Sequence, residues 1–361
     1  MKLGIVGLPN VGKSTLFNAI MQAGAESANY PFSTINPNVA MVPVPDRRLN
    51  VLTEMHKSKL TTPAVLEMAD IAGLVQGASK GEGLGNQFLS HIREADALVH
   101  VLRCFEDDQV AFVYPEIDPL RDIETINIEL MIADLELVER RLDKKKDKRN
   151  ALQYPREDEV LKVLQEALTN GSCARQISWD NSDDSRFVQS LNLLTAKPLL
   201  YAVNIQESDI NKENPHLKKL KAFAEEEGSK VFEVCAKIEA EIAALAPEEK
   251  ELFFEELGLS QGSLDQLIAA GYELLGLCSF FTAGPKESRA WTIRRGLKAP
   301  QAAGKIHSDM ERGFIRAEVV AFDDLERSGS HNKAKENGLV RVEGKDYVVK
   351  DGDVMLIRFN V

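Results

Sequence analysis

Cysteine, tryptophan and histidine are scarce in this sequence, and long apolar runs are absent. The 361 residues include four cysteines, two tryptophans and six histidines. The cysteines are far apart and show neither C-x-x-C nor metal-finger spacing, which argues against a disulfide framework or a zinc finger and predicts reduced thiols. No run approaches the ~18 apolar residues that span a bilayer, and the N-terminus lacks signal-peptide organisation. We therefore expect a soluble, cytoplasmic protein with no membrane partner.

An excess of positive charge is also missing. Lysine and arginine total 44 against 56 aspartates and glutamates, a formal charge of −12. This balance argues against a general nucleic-acid coat protein, because a phosphate backbone attracts basic surfaces. The hydrophobic content of 44% and the charged content of 28% are ordinary for a globular protein. At ~100–200 residues per domain, the length predicts two or three domains with cores of their own.

Short apolar runs alternate with helical patterns in much of the chain, which is typical of βα units in a parallel sheet. We predict strands at 2–6, 65–70, 97–103, 199–204 and 230–235. Ligands of such α/β folds bind at the carboxyl ends of the strands. The sequence therefore predicts an α/β nucleotide-binding fold with its site at that edge.

A stretch of different character interrupts this alternation. Its apolar residues recur every three or four positions, first over 123–137 and again over 160–168, with a basic run at 144–149 between them. This pattern predicts a helical hairpin, or coiled-coil arm, inserted at about 121–192 with the basic run near its tip.

The last part of the chain has a third sequence pattern. Predicted strands at 291–293, 313–321 and 354–359 are separated by glycine-rich turns and by a helix at 299–308. Residues 278–361 hold 15 basic and 12 acidic residues. We therefore divide the chain into a nucleotide domain, 1–277, and a small, mildly basic mixed α/β module, 278–361.

The strongest motif is a phosphate loop. Residues 7–14, GLPNVGKS, fit G-x-x-x-x-G-K-[ST] directly after a strand and at the start of a helix. Glycines let backbone N–H groups turn toward the α- and β-phosphates, and the helix N-terminus adds its dipole. Lys13 is expected to reach the β/γ oxygens and Ser14 to place its hydroxyl on Mg²⁺.

Two further segments are expected to complete a triphosphate site. Asp70 ends an apolar strand and begins D-I-A-G, so it can hold the metal through water, with Gly73 sensing the γ-phosphate. The segment 29–35 between the two motifs offers a hydroxyl for the Mg²⁺ shell. Chemistry alone leaves Ser33 and Thr34 as alternatives there.

The loop that would read the base departs from the guanine pattern. GTPases of this architecture carry N-K-x-D, in which the aspartate accepts two hydrogen bonds from guanine. Here Asn204 is followed by Ile205 in place of the lysine and by Glu207 in place of the aspartate. Charged hydrogen bonds contribute ~1.5–3 kcal/mol each, so their loss can erase a guanine preference. We expect ATP to bind at least as well as GTP.

The group that orients the attacking water is also missing. Ras-like GTPases carry a glutamine just beyond D-x-x-G, and here Leu74 stands at that position, with Gln76 two residues further. An aliphatic side chain cannot hydrogen-bond that water, so we expect slow hydrolysis. A phosphate-loop asparagine such as Asn10 can support a K⁺ ion where an arginine finger would otherwise lie. The glycine-rich run 77–85 predicts a mobile switch segment.

Together these motifs resemble the Obg-like ATPases of the YchF subfamily of TRAFAC P-loop GTPases. The resemblance covers essentially the whole chain and rests on 7–15, 29–38, 70–88, 204–207, 281–284, 290–292 and 299–314. It implies a Ras-like G domain, a helical arm and a C-terminal β-grasp TGS domain. It further implies hydrolysis of ATP in preference to GTP with Mg²⁺, and association with the ribosome, as the 50S subunit or the 70S particle.

The resemblance also assigns residues by motif position. It favours Thr34 over Ser33, so that Ser14 and Thr34 hold Mg²⁺, and it puts a base contact on Ile205. Nucleotide contacts fall on Asn10, Val11, Gly12, Lys13, Ser14 and Thr15. Relatives often carry a histidine in the loop after the segment 103–105 as a candidate for promoting hydrolysis, whereas this chain has the run AFVY at 111–114.

Three functions stay open at this point: a slow ATPase that switches its affinity for a large partner, an ATP-sensing binding module without turnover, and a guanine-specific GTPase. RNA contact through the helical arm and the TGS module is an expectation, and an ordinary charged surface explains the same basic residues. We expect a monomer.

Overall fold

The computed structural model describes residues 1–26, 38–71, 84–107, 110, 112–146, 154–210, 212, 214–245, 249–250 and 262–360. Thr34, Gly73, Leu74 and Gln76 lie outside these residues, as do the run 77–83 and the end of the basic run, 147–149. Within the described part of the chain, no helix is both long and apolar enough to cross a membrane.

The strands are β1 Lys2–Val6, β2 Val39–Pro43, β3 Leu60–Thr62, β4 Val65–Asp70, β5 Ala97–Cys104, β6 Leu199–Ile205, β7 Lys230–Val234, β8 Leu277–Ala283, β9 Glu287–Arg294, β10 Phe314–Ala321, β11 Arg341–Glu343 and β12 Asp353–Phe359. The helices are α1 Lys13–Glu26, α2 Arg47–His56, α3 Leu84–Glu94, α4 Pro119–Lys146, α5 Glu157–Thr169, α6 Ser182–Ser190, α7 Pro215–Glu227, α8 Ala236–Ala243, α9 Ser263–Leu274, α10 Ala299–Ile306, α11 Ser308–Arg312, α12 Phe322–Ser328 and α13 His331–Glu336.

The chain forms two compact units. The first comprises Met1–Met41 and Glu67–Leu267, and the second comprises Val42–Leu66 and Ile268–Val361. The segment 42–66 lies in sequence between the predicted Mg²⁺-binding segment 29–35 and the predicted switch segment 77–85, yet it packs with the C-terminal residues. Local sequence patterns do not predict that this segment belongs to the second unit.

The first sheet has the order β2-β4-β1-β5-β6-β7. The pairs β1–β4, β1–β5, β5–β6 and β6–β7 are parallel, as predicted. Every residue of β5 and β6 is buried. Strands covered on both faces read as continuous apolar runs, which is why the sequence identified them.

The predicted helical insertion is present. Helices α4 and α5 pack on each other around fully buried Val138, Leu161 and Leu164. The buried carboxylate of Asp134 in α4 accepts hydrogen bonds from the backbone N–H groups of Leu194 (2.9 Å) and Thr195 (2.8 Å). These bonds fix the base of the insertion to the segment that leads into β6.

The second unit is built on a mixed sheet of order β11-β10-β12-β8-β9-β3. Its core contains Phe280, Ile293, Val319 and the alanines of α10, and the ring of Trp291 stacks on Phe280 with centroids 6.4 Å apart. The three C-terminal strands and the helix predicted from sequence are all present. The segment 42–66 adds β3, which pairs in parallel with β9.

Candidate functional site

The carboxyl ends of the central strands meet at one edge of the first sheet. The strand register pairs Ile5 with Asp70, and Val6 with His100. On the next strand it pairs Cys104 with Ile205. The phosphate loop after β1, the acidic motif after β4 and the base loop after β6 therefore emerge side by side, as expected for a parallel sheet.

The phosphate loop has the backbone conformation that its sequence predicts. Asn10 and Gly12 adopt positive φ values of 65° and 92°. A Cβ atom on Gly12 would collide with the Asn204 amide, and one on Gly7 would lie 2.8 Å from the carbonyl oxygen of Val101. Glycine is therefore required at both positions. The loop leads directly into α1, whose N-terminus favours anions.

A lysine–aspartate ion pair lies behind this loop. The Lys13 ammonium contacts a carboxylate oxygen of Asp70, and the two side chains are 9% and 17% exposed. Ser14 and Thr15 are exposed at the start of α1, as is Asn10 in the loop. Serine hydroxyl and carboxylate oxygens are donors that suit Mg²⁺. No group of three or more His, Cys, Asp or Glu side chains among the described residues forms another candidate metal site.

Asn204 connects the base loop to its neighbours. Its Nδ2 donates to the carbonyl oxygen of Val11 (3.0 Å), and its Oδ1 accepts from the backbone N–H of Ala236 (3.0 Å). Asn204 is 8% exposed, so both bonds are shielded from water. One side chain thereby holds the phosphate loop, the base loop and the loop before α8 together.

The other two base-loop residues differ in exposure. Ile205 is buried and lines a cavity of about 350 Å³ together with Phe232, Cys235 and Ile238. Glu207 is exposed at the start of a 3₁₀ turn. The carboxylate of Glu207 is thus accessible to a ligand, and the Ile205 side chain packs into the protein.

Sequence reasoning missed the contribution of the loop that follows β5. Gln206 donates to the carbonyl oxygen of Glu106 (2.7 Å), which ties this loop to the base loop. The Arg103 guanidinium lies 3.7 Å from the centre of the Phe112 ring and donates to the carbonyl oxygen of Tyr114 (3.0 Å). An arginine at the end of a buried strand is the signal that could have indicated this role.

Two histidines of the predicted nucleotide domain, His91 and His100, have different environments. His100 is 1% exposed beside the Tyr201 ring, and burial lowers its pKa to about 3. Its Nε2 has no hydrogen-bond partner in the described part of the chain. His91 is exposed on α3. His100 is therefore a neutral core residue.

A parallel sheet that carries this loop and this ion pair at its carboxyl edge defines a P-loop nucleoside triphosphatase. Comparison with known proteins agrees. Residues 2–141 match a family model described as a 50S ribosome-binding GTPase. Residues 277–360 match the model of the YchF-GTPase C-terminal region, described as a protein of unknown function.

Full-length relatives identify the family within this class of P-loop nucleoside triphosphatases. The chain is 55% identical to the ribosome-binding ATPase YchF of Bacillus subtilis, with 99% of each chain covered. It is 44% identical to Obg-like ATPase 1 of Oryza sativa, covering 100% of this chain and 92% of the relative. The solved structure of the Schizosaccharomyces pombe YchF GTPase matches with a TM-score of 0.88 at 38% identity, covering 99% of this chain and 97% of that one. The chain belongs to the YchF family of Obg-like ATPases.

Proposed function

We propose that the chain is a Mg²⁺-dependent ATPase with weaker GTPase activity, whose nucleotide state controls its association with the ribosome. The observation that carries the nucleotide preference is the base loop. Asn204 forms the two hydrogen bonds that position this loop. Ile205 and Glu207 stand where guanine-specific GTPases carry lysine and aspartate. Because the side chain of Ile205 is buried, we assign the contact with the base to the Ile205 backbone.

The triphosphate is assigned to residues 10–15, with Lys13 on the β/γ oxygens. Ser14 and Thr34 would hold Mg²⁺, Asp70 would hold it through water, and Gly73 would sense the γ-phosphate. The bound cation would neutralise phosphate charge. Support for this assignment comes from the Lys13–Asp70 pair and the exposed Ser14 hydroxyl. Asn10, at the mouth of the loop, is the candidate support for K⁺.

Ribosome association is proposed from the relatives, several of which are named ribosome-binding ATPases. The predicted G domain and TGS domain, divided at 277/278, are proposed as its two functional parts, and a monomer as its state. Contact with RNA through the helical arm and the C-terminal module is also proposed. Two of its basic side chains already have partners, since Lys298 pairs with Asp346 (2.7 Å) and Arg289 lies 4.0 Å from the centre of the Trp291 ring.

Nucleotide preference is tested by titrating the protein with fluorescent ATP and GTP analogues in Mg²⁺, beside an Ile205→Lys, Glu207→Asp double variant. We expect the wild type to prefer ATP or bind both equally, and the variant to shift toward GTP. Wild-type binding of GTP tenfold tighter than ATP would instead identify a guanine-specific GTPase.

Turnover distinguishes the switch from the sensing module. We expect slow ATP hydrolysis that rises several-fold when 70S ribosomes are added. Tight ATP binding with no turnover, either alone or with ribosomes, would favour a module that uses ATP only as a structural ligand.

A further inference from the structure

A polar groove runs between α3 and α4 in the first unit. It encloses a cavity of about 330 Å³ lined by Asn86, Leu89, Ser90, Arg93, Ala133, Glu136, Leu137 and Arg140. On each helix these residues are spaced i, i+3, i+4, i+7, so two single helix faces form the walls. We propose that this groove is a docking site for a carboxylate-bearing segment of a ribosomal protein. The inference rests on the proposed ribosome association and assigns it a surface.

The arginines give the groove its ligand preference. Arg93 and Arg140 occupy the last position of the two faces, and neither forms an ion pair with any described residue. Asp134 is the nearby buried acid, and its carboxylate accepts hydrogen bonds from the backbone N–H groups of Leu194 and Thr195. Guanidinium groups bind carboxylates through paired N–H donors, so two of them in the lining of one groove favour an acidic group.

The remaining residues that line the groove favour a protein ligand over an RNA ligand. Leu89 and Ala133 are each 8% exposed, and with Leu137 they provide an apolar floor. With two arginines and one glutamate, the lining has a small positive excess, which suits a single carboxylate better than the repeated charges of a phosphate backbone. An apolar side chain can cover the floor while a neighbouring carboxylate reaches the arginines.

We expect this groove to respond to nucleotide, because α3 follows the Asp70 motif in the sequence. The C-terminal end of α3 is fixed because the Lys197 ammonium donates to the carbonyl oxygens of Ala95 (2.5 Å) and Arg93 (3.2 Å) and to Asn192 (3.0 Å). Its N-terminal end, at Leu84, follows the segment that begins at Asp70. A change at the triphosphate site is therefore expected to move the Asn86 end of the wall and leave the Arg93 end in place.

The first test removes the two positive charges. We compare binding of wild type, an Arg93→Gln, Arg140→Gln double variant and a Lys162→Gln control to purified 70S ribosomes, with a non-hydrolysable ATP analogue and with ADP. Lys162 is exposed on α5, outside the groove. We expect the double variant to bind at least tenfold more weakly in the ATP-analogue state, with ribosome-free ATPase activity within twofold of wild type and the control unchanged. Unaltered ribosome binding by the double variant would overturn the groove assignment.

The second test identifies the occupant. A photoreactive benzoylphenylalanine is placed at Ser90, and at Lys162 as control, and the products formed with 70S ribosomes are analysed by mass spectrometry. A cross-link to an acidic segment of a ribosomal protein, stronger with the ATP analogue than with ADP, supports the proposal. A cross-link to ribosomal RNA, or labelling no greater than at Lys162, contradicts it. Absence of wild-type ribosome binding in every nucleotide state would refute the proposed function itself.

Discussion

Asn204 connects three loops of the candidate site through two buried hydrogen bonds. An Asn204→Ala variant leaves the Val11 carbonyl and the Ala236 N–H without partners. Because unsatisfied buried groups cost ~1–3 kcal/mol each, we expect the free energy of unfolding to fall by about 2–6 kcal/mol. ATP affinity should fall at least tenfold, because the phosphate loop loses its support.

Urea denaturation and ATP titration measure the two effects of Asn204→Ala. Gln189→Ala is the matched control, because Gln189 is exposed on α6. Loss of stability without loss of ATP affinity would mean that Asn204 supports the fold but not the site.

His100 predicts a pH dependence of stability. Its folded pKa of about 3 lies below the ordinary value of 6.5, because burial disfavours the charged ring. Between these values the unfolded state binds more protons, so the stability contribution is present above pH ~6.5 and is lost as the pH falls. At pH 5 the loss is about 2 kcal/mol, at ~1.4 kcal/mol per unit.

A His100→Phe variant should lose less stability than wild type between pH 7 and pH 5, measured by urea denaturation. His91→Gln, which changes an exposed histidine, should behave like wild type. Equal losses in wild type and His100→Phe would show that other groups govern acid sensitivity.

At the scale of elements, Lys197 holds α3 through three acceptors at the C-terminal end of the helix. Burial lowers the pKa of its ammonium group, and the negative charges of Asp96 and Asp134 oppose that shift. In Lys197→Met we expect amide hydrogens of α3 to exchange at least tenfold faster, because the helix end loses its anchor. Hydrogen exchange with mass spectrometry measures this, with Lys218→Met on the exposed face of α7 as control. Unchanged exchange in α3 would mean that the apolar face alone holds the helix.

The elements also show what local sequence can and cannot predict. The strands β1, β4, β5 and β6 were predicted because they are buried apolar runs, and α4 and α5 because their apolar residues repeat every three or four positions. The strand β3 was missed, since its three residues form a strand only by pairing with β9, more than two hundred residues later. In the site, motif spacing predicted Lys13 and Asp70. The bonds of Asn204 and the Arg103–Phe112 contact depend on tertiary packing, which no motif encodes.

At the scale of the whole molecule, the segment 42–66 belongs to the second unit, although in sequence it lies between the predicted Mg²⁺-binding segment 29–35 and the predicted switch segment 77–85. Its Arg48 forms ion pairs with Asp46 (2.8 Å) and Asp351 (2.9 Å), and its guanidinium lies 5.1 Å from the centre of the Phe281 ring. Ser58 adds hydrogen bonds to Gly284 and Ser288 (both 2.8 Å). The segment is thus anchored to β8 and β9, while its two ends continue into β2 and β4.

This arrangement predicts that nucleotide binding changes hydrogen exchange in the second unit. A ligand that fixes Asp70 also restrains the ends of the segment, and the Arg48 contacts pass that restraint to β8. In wild type we expect ATP to slow hydrogen exchange in α2 and in β8. In Arg48→Ala, β8 should no longer respond to ATP, while peptides around Asp70 still do. Arg47→Ala is the control, because Arg47 is 71% exposed and its ion pair with Glu326 contributes little. An ATP response of β8 that survives in Arg48→Ala would show that the two units communicate by a route other than this segment.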